Sequence, residues 1–421
     1  MNPLLLSGFG ISIEVNKARL TIKQKNDILT FEPHRMPYDS IVIDGHYGSM
    51  SFEAMRWLSK HDVPVILLNW NGNLLSIMSP KEGNSGQLRM KQYEKYLKKE
   101  ERTVIAEKII KEKIGKSLAL LENLADFHQE INFEKIKKAF SKEFEDFNLK
   151  KEKINILKDE KTKKNKTNAE KRDLKKKIAD LMMYEGRIAS AYWSELSGIF
   201  NKIAPEFNFE SRKNLSYSWN MNASDPINAL LNYGYAILEG MVRKYVNTIG
   251  LDPSIGFLHE IAPSKYPLVY DLQELFRHVV DYSVIQILES GLKKSDFIIT
   301  ENYHIRLKPN TARLLIERIK ENFNQRYDFR NKKHSLENIM LENIREFSKY
   351  LVDKKNTLDF VMPDIEIKRN DSTKVRKKIE SITPEGRKKL KINKSTLWYQ
   401  QKKIKEGKPV KLYEKTKVRI S

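Results

Sequence analysis

The sequence predicts an α+β protein with an N-terminal β-rich domain, a larger all-α domain and a C-terminal helix-turn-helix. Three observations predict it. From Leu4 to about Met78 short apolar runs alternate with turn residues, from Gln87 to about Leu121 glycine and proline almost vanish while apolar residues recur every three or four positions, and beyond Pro363 a charged linker leads into a small basic unit. A chain of 421 residues has room for two or three domains at about 150 residues each. The boundaries fall at residues 1–85, 86–362 and 363–421.

In the first region, Gly10-Ile-Ser-Ile-Glu-Val15, Ala18-Arg-Leu-Thr-Ile22, Ser40-Ile-Val-Ile-Asp44 and Val63-Pro-Val-Ile-Leu-Leu68 have the period and punctuation of strands. One helix, from Ser51 to Lys60, interrupts them, with Ser51 as N-cap and Phe52, Met55 and Leu58 at helical spacing. Gly8-Phe-Gly10 lacks the third glycine and following helix of a phosphate-binding loop, and reads as a turn into the first strand. Helical patterns then run from Gln87 to Leu121, Ile178 to Phe200, Pro226 to Ile249, Leu268 to Leu292, Asn310 to Gln325 and Ser335 to Lys354. Residues 135–180 form a charged insertion, with a loop at Lys163-Lys-Asn-Lys-Thr-Asn168 inside a helical hairpin that is expected to be mobile.

Apolar residues at 40% and charged residues at 31% describe a globular chain, and no apolar run approaches the ~20 residues of a membrane span. The first residues carry no basic segment ahead of an apolar one, so a cytoplasmic location is expected. The absence of cysteine excludes disulfides, thiol nucleophiles, iron–sulfur clusters and cysteine-bound zinc. A net charge of +22 points to a polyanionic partner, with nucleic acid first among them. Residues 368–421 hold 19 Lys and Arg against 5 Asp and Glu, a net +14, and residues 150–180 hold 13 against 6, a net +7.

Three segments in the helical region carry candidate chemistry. Tyr184-Glu-Gly-Arg-Ile-Ala-Ser-Ala-Tyr-Trp193 places Glu185 on a helix that is otherwise apolar on one face, where a carboxylate is costly unless paired or metal-bound. Gly250-Leu-Asp-Pro-Ser-Ile-Gly-Phe-Leu-His259 ends a turn-rich loop in an imidazole flanked by apolar residues. Tyr270-Asp-Leu-Gln-Glu-Leu-Phe-Arg277 puts Asp271 and Glu274 on one face of a helix. One imidazole with two or three carboxylates suits Mg²⁺ or Mn²⁺. By spacing alone, His259 reads more often as a core histidine and Glu185 as half of a salt bridge.

These segments form part of an ordered series. It opens with Leu4-Leu-Leu-Ser-Gly-Phe-Gly10 and Ser51-Phe-Glu-Ala-Met-Arg-Trp-Leu58, continues through Tyr184-Glu-Gly, Ala191-Tyr-Trp193 and Asp225-Pro-Ile-Asn-Ala-Leu-Leu-Asn-Tyr-Gly-Tyr235, and ends in the two segments around His259 and Glu274. Over about residues 1–353 the series resembles the CRISPR-associated integrase that inserts spacers, together with its transposon-borne relatives, the casposases. The resemblance implies a β-rich domain followed by a helical catalytic domain, with Glu185, His259 and Glu274 as ligands of Mg²⁺ or Mn²⁺. Glu274 stands where many relatives carry aspartate, and Asp271 matches a nearby acidic position that supports the site or ligates directly. The implied reaction is strand transfer of a DNA 3′ end into a target strand. Arg212, Lys265, Arg277 and His278, in or near the matching segments, are expected phosphate contacts, with surface solvation the alternative for each.

The tail separates the relatives. Thr383-Pro-Glu-Gly opens a helix, and Leu390-Lys-Ile-Asn-Lys-Ser-Thr-Leu-Trp398 resembles the turn and start of a recognition helix, with Leu390, Ile392, Leu397 and Ile404 as its core. Lys391 stands where glycine is common. Asn393 caps the helix, and Lys394, Ser395, Tyr399 and Gln400 are expected to face the major groove. An integrase core with its own helix-turn-helix resembles a casposase, which acts on transposon ends and target duplex as a homodimer or higher assembly, with possible endonuclease activity. The alternatives are a CRISPR spacer-acquisition integrase or endonuclease with an unusual tail, and, in another class, a non-catalytic helix-turn-helix regulator.

Overall fold

In the computed structural model, strands β1 (Pro3–Leu6) and β2 (Phe9–Asn16) enter different sheets although only two residues separate them. The structure describes residues 1–25, 27–69, 72–79, 83, 85–125, 138, 169–212, 223, 225–300, 304–367, 379, 381–383, 386–387, 390 and 392–405. Gly8 and Gly10 take φ of +95° and +72°, a left-handed backbone that redirects the chain at little cost in glycine, as the turn reading expects.

After β3 (Arg19–Gln24) and β4 (Asp27–Phe31), β5 (Ser40–Ile43) returns to the first sheet and β6 (Tyr47–Met50) to the second. Helix α1 (Phe52–Lys60) then leads to β7 (Val65–Leu68) and β8 (Leu74–Met78). The first sheet has the order β1-β5-β7-β8, with β1, β5 and β7 parallel and β8 antiparallel. The second has the order β4-β3-β2-β6, with β6 parallel to β2.

Leu4, Leu6, Ile11, Ile13, Leu20, Ile22 and Ile41 form one core with Ala54, Trp57 and Leu58 of α1. Ser51 caps α1, its hydroxyl accepting from the Ala54 amide at 3.1 Å, as predicted. The buried stripe runs through 54, 57 and 58 and leaves Phe52 and Met55 exposed. It is therefore turned about the axis from the stripe the spacing suggests.

The helical region from Gln87 is two helices, α2 (Gly86–Leu97) and α3 (Lys99–Ala125), meeting at Lys98. Helix α4 (Ala169–Ile203) carries Glu185, and α5 (Pro226–Ile249) begins at the predicted proline with Asp225 capping it. Helix α5 is buried along almost its whole circumference, as befits the centre of a helical core. It packs on β8 and on the helices that follow it: α6 (Pro267–Glu274), α7 (Arg277–Leu288), α8 (Pro309–Asn324) and α9 (Leu336–Leu351).

The predicted helix from Leu268 is thus broken at Leu275-Phe276, both of which are buried. The region is also not wholly α. It holds two small hairpins, β9 (Phe297–Ile299) with β10 (Ile305–Leu307), and β11 (Arg326–Phe329) with β12 (Lys332–Ser335). Of the predicted insertion, residue 138 and residues 169–180 are described, the latter continuing α4, and the predicted loop at 163–168 lies outside the described residues.

The chain divides into two compact units, Met1–Leu120 with Glu134–Asp364, and Leu121–Phe133 with Ile365–Ser421. In the second, helix α10 (Lys394–Lys405) packs through Leu397 onto Ile379 and Ile392, with Ile382 and Leu390 alongside. The Asn393 side chain accepts from the Ser395 amide at 3.3 Å, and Thr383 accepts from the Gly386 amide at 3.1 Å. Lys391 and the side chain of Ile404 lie outside the described residues. No helix among the described residues is long and apolar enough to cross a membrane.

Candidate active site

His259 ends the loop between α5 and α6, and that loop is built around one carboxylate. Asp271, wholly buried on α6, accepts the backbone amides of Phe257 at 2.5 Å and of Leu258 and His259 at 3.0 Å, and pairs with His259 Nδ1 at 2.7 Å. Gly256 makes this approach possible, since a Cβ there would stand 2.6 Å from the Pro267 side chain and 2.9 Å from Asp271 Oδ2. Arg102 of α3 clamps the outer side of the loop, donating to the Phe257 carbonyl and to Glu260, each at 3.0 Å. Phe257 packs edge-on against Phe347 of α9 at 5.7 Å.

Glu185 and Glu274 come together through a residue the sequence reading missed. The Lys113 ammonium of α3 meets Glu185 and lies 2.7 Å from Glu274 Oε2, while Arg277 reaches the other Glu274 oxygen at 3.1 Å. Oε2 of Glu274 is buried, and the Lys113 ammonium answers its charge. Burial opposes ionisation of Glu274, but Arg277 and Lys113 outweigh it and hold the carboxyl at about 2. Burial likewise opposes protonation of His259, yet the hydrogen bond and charge of Asp271, with Glu274 behind them, raise the imidazole above its usual range. A signal for Lys113 was present, because it lies at helical spacing from the buried Ile109 and Ile110 and so belongs to the inward face of α3.

Among the described residues no three His, Asp or Glu side chains converge as a ready metal cage. The chemistry of the donors nonetheless fits a hard divalent ion: two carboxylates already share one cation, and a buried carboxylate pairs with Nδ1 of the histidine, which directs Nε2 away as a lone-pair donor. Asp271 itself has both oxygens committed to amides and imidazole. Those bonds hold the His259 ring and its loop in place.

The expected phosphate contacts separate. Lys265 is exposed and Arg277 partly so. Arg212 is turned inward, donating to Asn228 and Asn232 and lying over the rings of Trp193 and Tyr235. His278 is buried on α7, where desolvation pushes it down to about 3. In α10, Lys394, Ser395 and Tyr399 are exposed as expected, but Gln400 is buried, and Trp398 takes the outward place. Residues 397 and 400 share the inward face of the helix, which forces 398 and 399 outward.

Behind the site, Tyr192 and Tyr235 both donate to the buried Asp281. Burial raises this carboxyl from 3.8 to about 6 despite those bonds. A carboxyl raised in the folded state stabilises the fold below its unfolded value, and that contribution disappears as pH rises through the folded value. Between pH 3.8 and about 6, the wild type should therefore lose stability relative to Asp281→Asn as pH rises. Urea midpoints of the two proteins across that window check it, and a constant difference would refute it.

The family model described as CRISPR associated protein Cas1 matches residues 4–321. The chain is 28% identical over 362 residues to the CRISPR-associated endonuclease Cas1 1 of Archaeoglobus fulgidus, covering 85% of this chain and 99% of the relative. It is 27% identical over 367 residues to the CRISPR-associated endonuclease Cas1 1 of Francisella tularensis subsp. novicida, covering 86% and 99%. Among solved structures it is similar to a casposase bound to integration product, with 36% identity and a TM-score of 0.74 over 91% of this chain and 99% of that one. A Cas1 protein from Thermotoga maritima shares the fold at 18% identity and a TM-score of 0.62, over 86% of this chain and 100% of that one.

Proposed function

The chain belongs to the Cas1 family, and from that premise we propose that it is a metal-dependent DNA integrase of the casposase kind. The observation that carries this reading is the likeness to the casposase structure along nearly the full length of both chains. In the reaction, the 3′-oxygen of a DNA end bonds to a target phosphorus and gives up its proton. The target's own phosphorus–oxygen bond breaks, and the released 3′-oxygen takes a proton.

Glu185, His259 and Glu274 would hold a Mg²⁺ or Mn²⁺ ion. When bound, such an ion polarises the phosphodiester and stabilises the entering and leaving oxygens. The remaining tasks fall to the chain. Asp271 holds the His259 ring with its Nε2 outward, Arg277 keeps Glu274 ionised, and Lys265 with the exposed part of Arg277 meets phosphates. The tail, net +14 over residues 368–421, adds salt-dependent affinity for DNA, and Lys394, Ser395 and Tyr399 on α10 face the groove of the element's ends or its target. One chain supplies one ligand set, so two-ended staggered insertion takes a homodimer or larger assembly. Water in place of the 3′-hydroxyl turns the same site into an endonuclease, a second activity favoured by the names of the curated relatives.

The test incubates the full-length protein with preformed DNA ends, a plasmid target and Mg²⁺ or Mn²⁺. Joined products are expected from 3′-hydroxyl ends and none from ends lacking that hydroxyl. Cleavage without joining under all these conditions would leave only the endonuclease. Substituting Lys394, Ser395 and Tyr399 together by alanine should preserve joining but erase the preference for matched over scrambled ends, with roughly 1–3 kcal/mol of discrimination lost per base contact. Undiminished preference would reduce the tail to an electrostatic anchor.

A further inference from the structure

Lys113 lies outside the proposed ligand set yet contacts two of its members, Glu185 and Glu274, and its side chain is 19% exposed. The cluster is formally neutral as it stands, because two carboxylates face the two cations Lys113 and Arg277. A divalent ion between those carboxylates would leave an excess of two positive charges in a largely desolvated space, so one resident cation must withdraw. Arg277 is tied down by a second contact, its guanidinium 4.9 Å from the centre of the Tyr235 ring. The Lys113 ammonium makes its ion pairs with the two carboxylates and is carried on a flexible four-carbon stem. Its anchors are the groups the ion would take.

We propose that Lys113 is an exchangeable counter-ion, which neutralises Glu185 and Glu274 while no metal is bound and is displaced when a divalent ion enters. The inference rests on the metal-ligand reading above. It makes metal binding a substitution of one cation for another, so that part of the ion's attraction to the site is spent on expelling the lysine. It also makes the metal-free protein tolerant of two carboxylates that would otherwise repel each other.

Titration calorimetry of Mn²⁺ into metal-stripped full-length protein tests the exchange, together with melting in chelator and in Mn²⁺. Lys113→Met should bind Mn²⁺ about tenfold more tightly than wild type, melt lower in chelator, and gain more from Mn²⁺ on melting. Lys113→Arg, which keeps the charge, should bind no more tightly than wild type. Lys113→Gln supplies the same comparison if the methionine variant does not fold without metal. Equal or weaker Mn²⁺ binding by the neutral variants, with wild type binding normally, would overturn the exchange and leave the metal site standing. Absence of Mn²⁺ binding and of Mn²⁺ stabilisation in every folded protein would instead overturn the ligand reading, and the exchange with it.

Discussion

Glu274→Ala is expected to abolish joining of DNA ends, with Glu185→Ala and His259→Ala close behind. Each removes a donor that the other two cannot replace, and loss of several kcal/mol of transition-state stabilisation corresponds to a fall in rate on the order of 10³-fold or more. DNA affinity should change little, because the basic tail and exposed cations remain. Glu274→Ala also leaves Lys113 and Arg277 facing each other without their shared anion. Glu274→Gln, which keeps the shape and removes the charge, therefore serves as its control for folding. Joining assays alongside fluorescence anisotropy on the same DNA check both halves. Near-wild-type joining by any of the three alanine variants would remove that residue from the site.

The second large effect falls on the carboxylate beneath the His259 loop. Asp271→Ala strips the partner from three backbone amides and one imidazole, groups gathered around a fully buried point. Leaving such donors unpaired should cost roughly 3–5 kcal/mol of stability, and release of the His259 ring should lower joining as well. Asp271→Asn should fall between, because its amide oxygen still accepts while its NH₂ confronts an N–H donor. The measurement is the urea midpoint of each variant beside its joining rate. A midpoint unchanged from wild type would show that the 256–259 loop holds itself up by other means.

Strands β2, β3, β5 and β7 were legible because each carries its own local pattern, as in Gly10–Val15 and Ser40–Asp44, and Ser51 announced α1 by chemistry confined to one helical turn. The pairing of β1 with β5 and of β2 with β6 was not, since nothing local records which distant strand a strand will meet. The break at Leu275-Phe276 left no mark because no glycine or proline stands between Leu268 and Ser290. Glu185, His259 and Glu274 were found through the ordered series of segments, whereas their spacing alone also allowed a core histidine and a salt bridge. Lys113 was hidden by its type, because a lysine among apolar neighbours ordinarily extends its charged end to water. Gln400 was misplaced by the habit of turning polar groups toward DNA, which the geometry of a helix with Leu397 buried does not permit.

The edge-on contact between Phe257 and Phe347 has a meaning in time. A ribosome makes Glu185, His259 and Glu274 well before it makes α8 and α9, and the loop that bears His259 rests on α9. Helix α5 is in the same position, since its neighbours extend from β8 to α9. A chain still under synthesis thus carries these three side chains before the helix that supports the His259 loop has emerged.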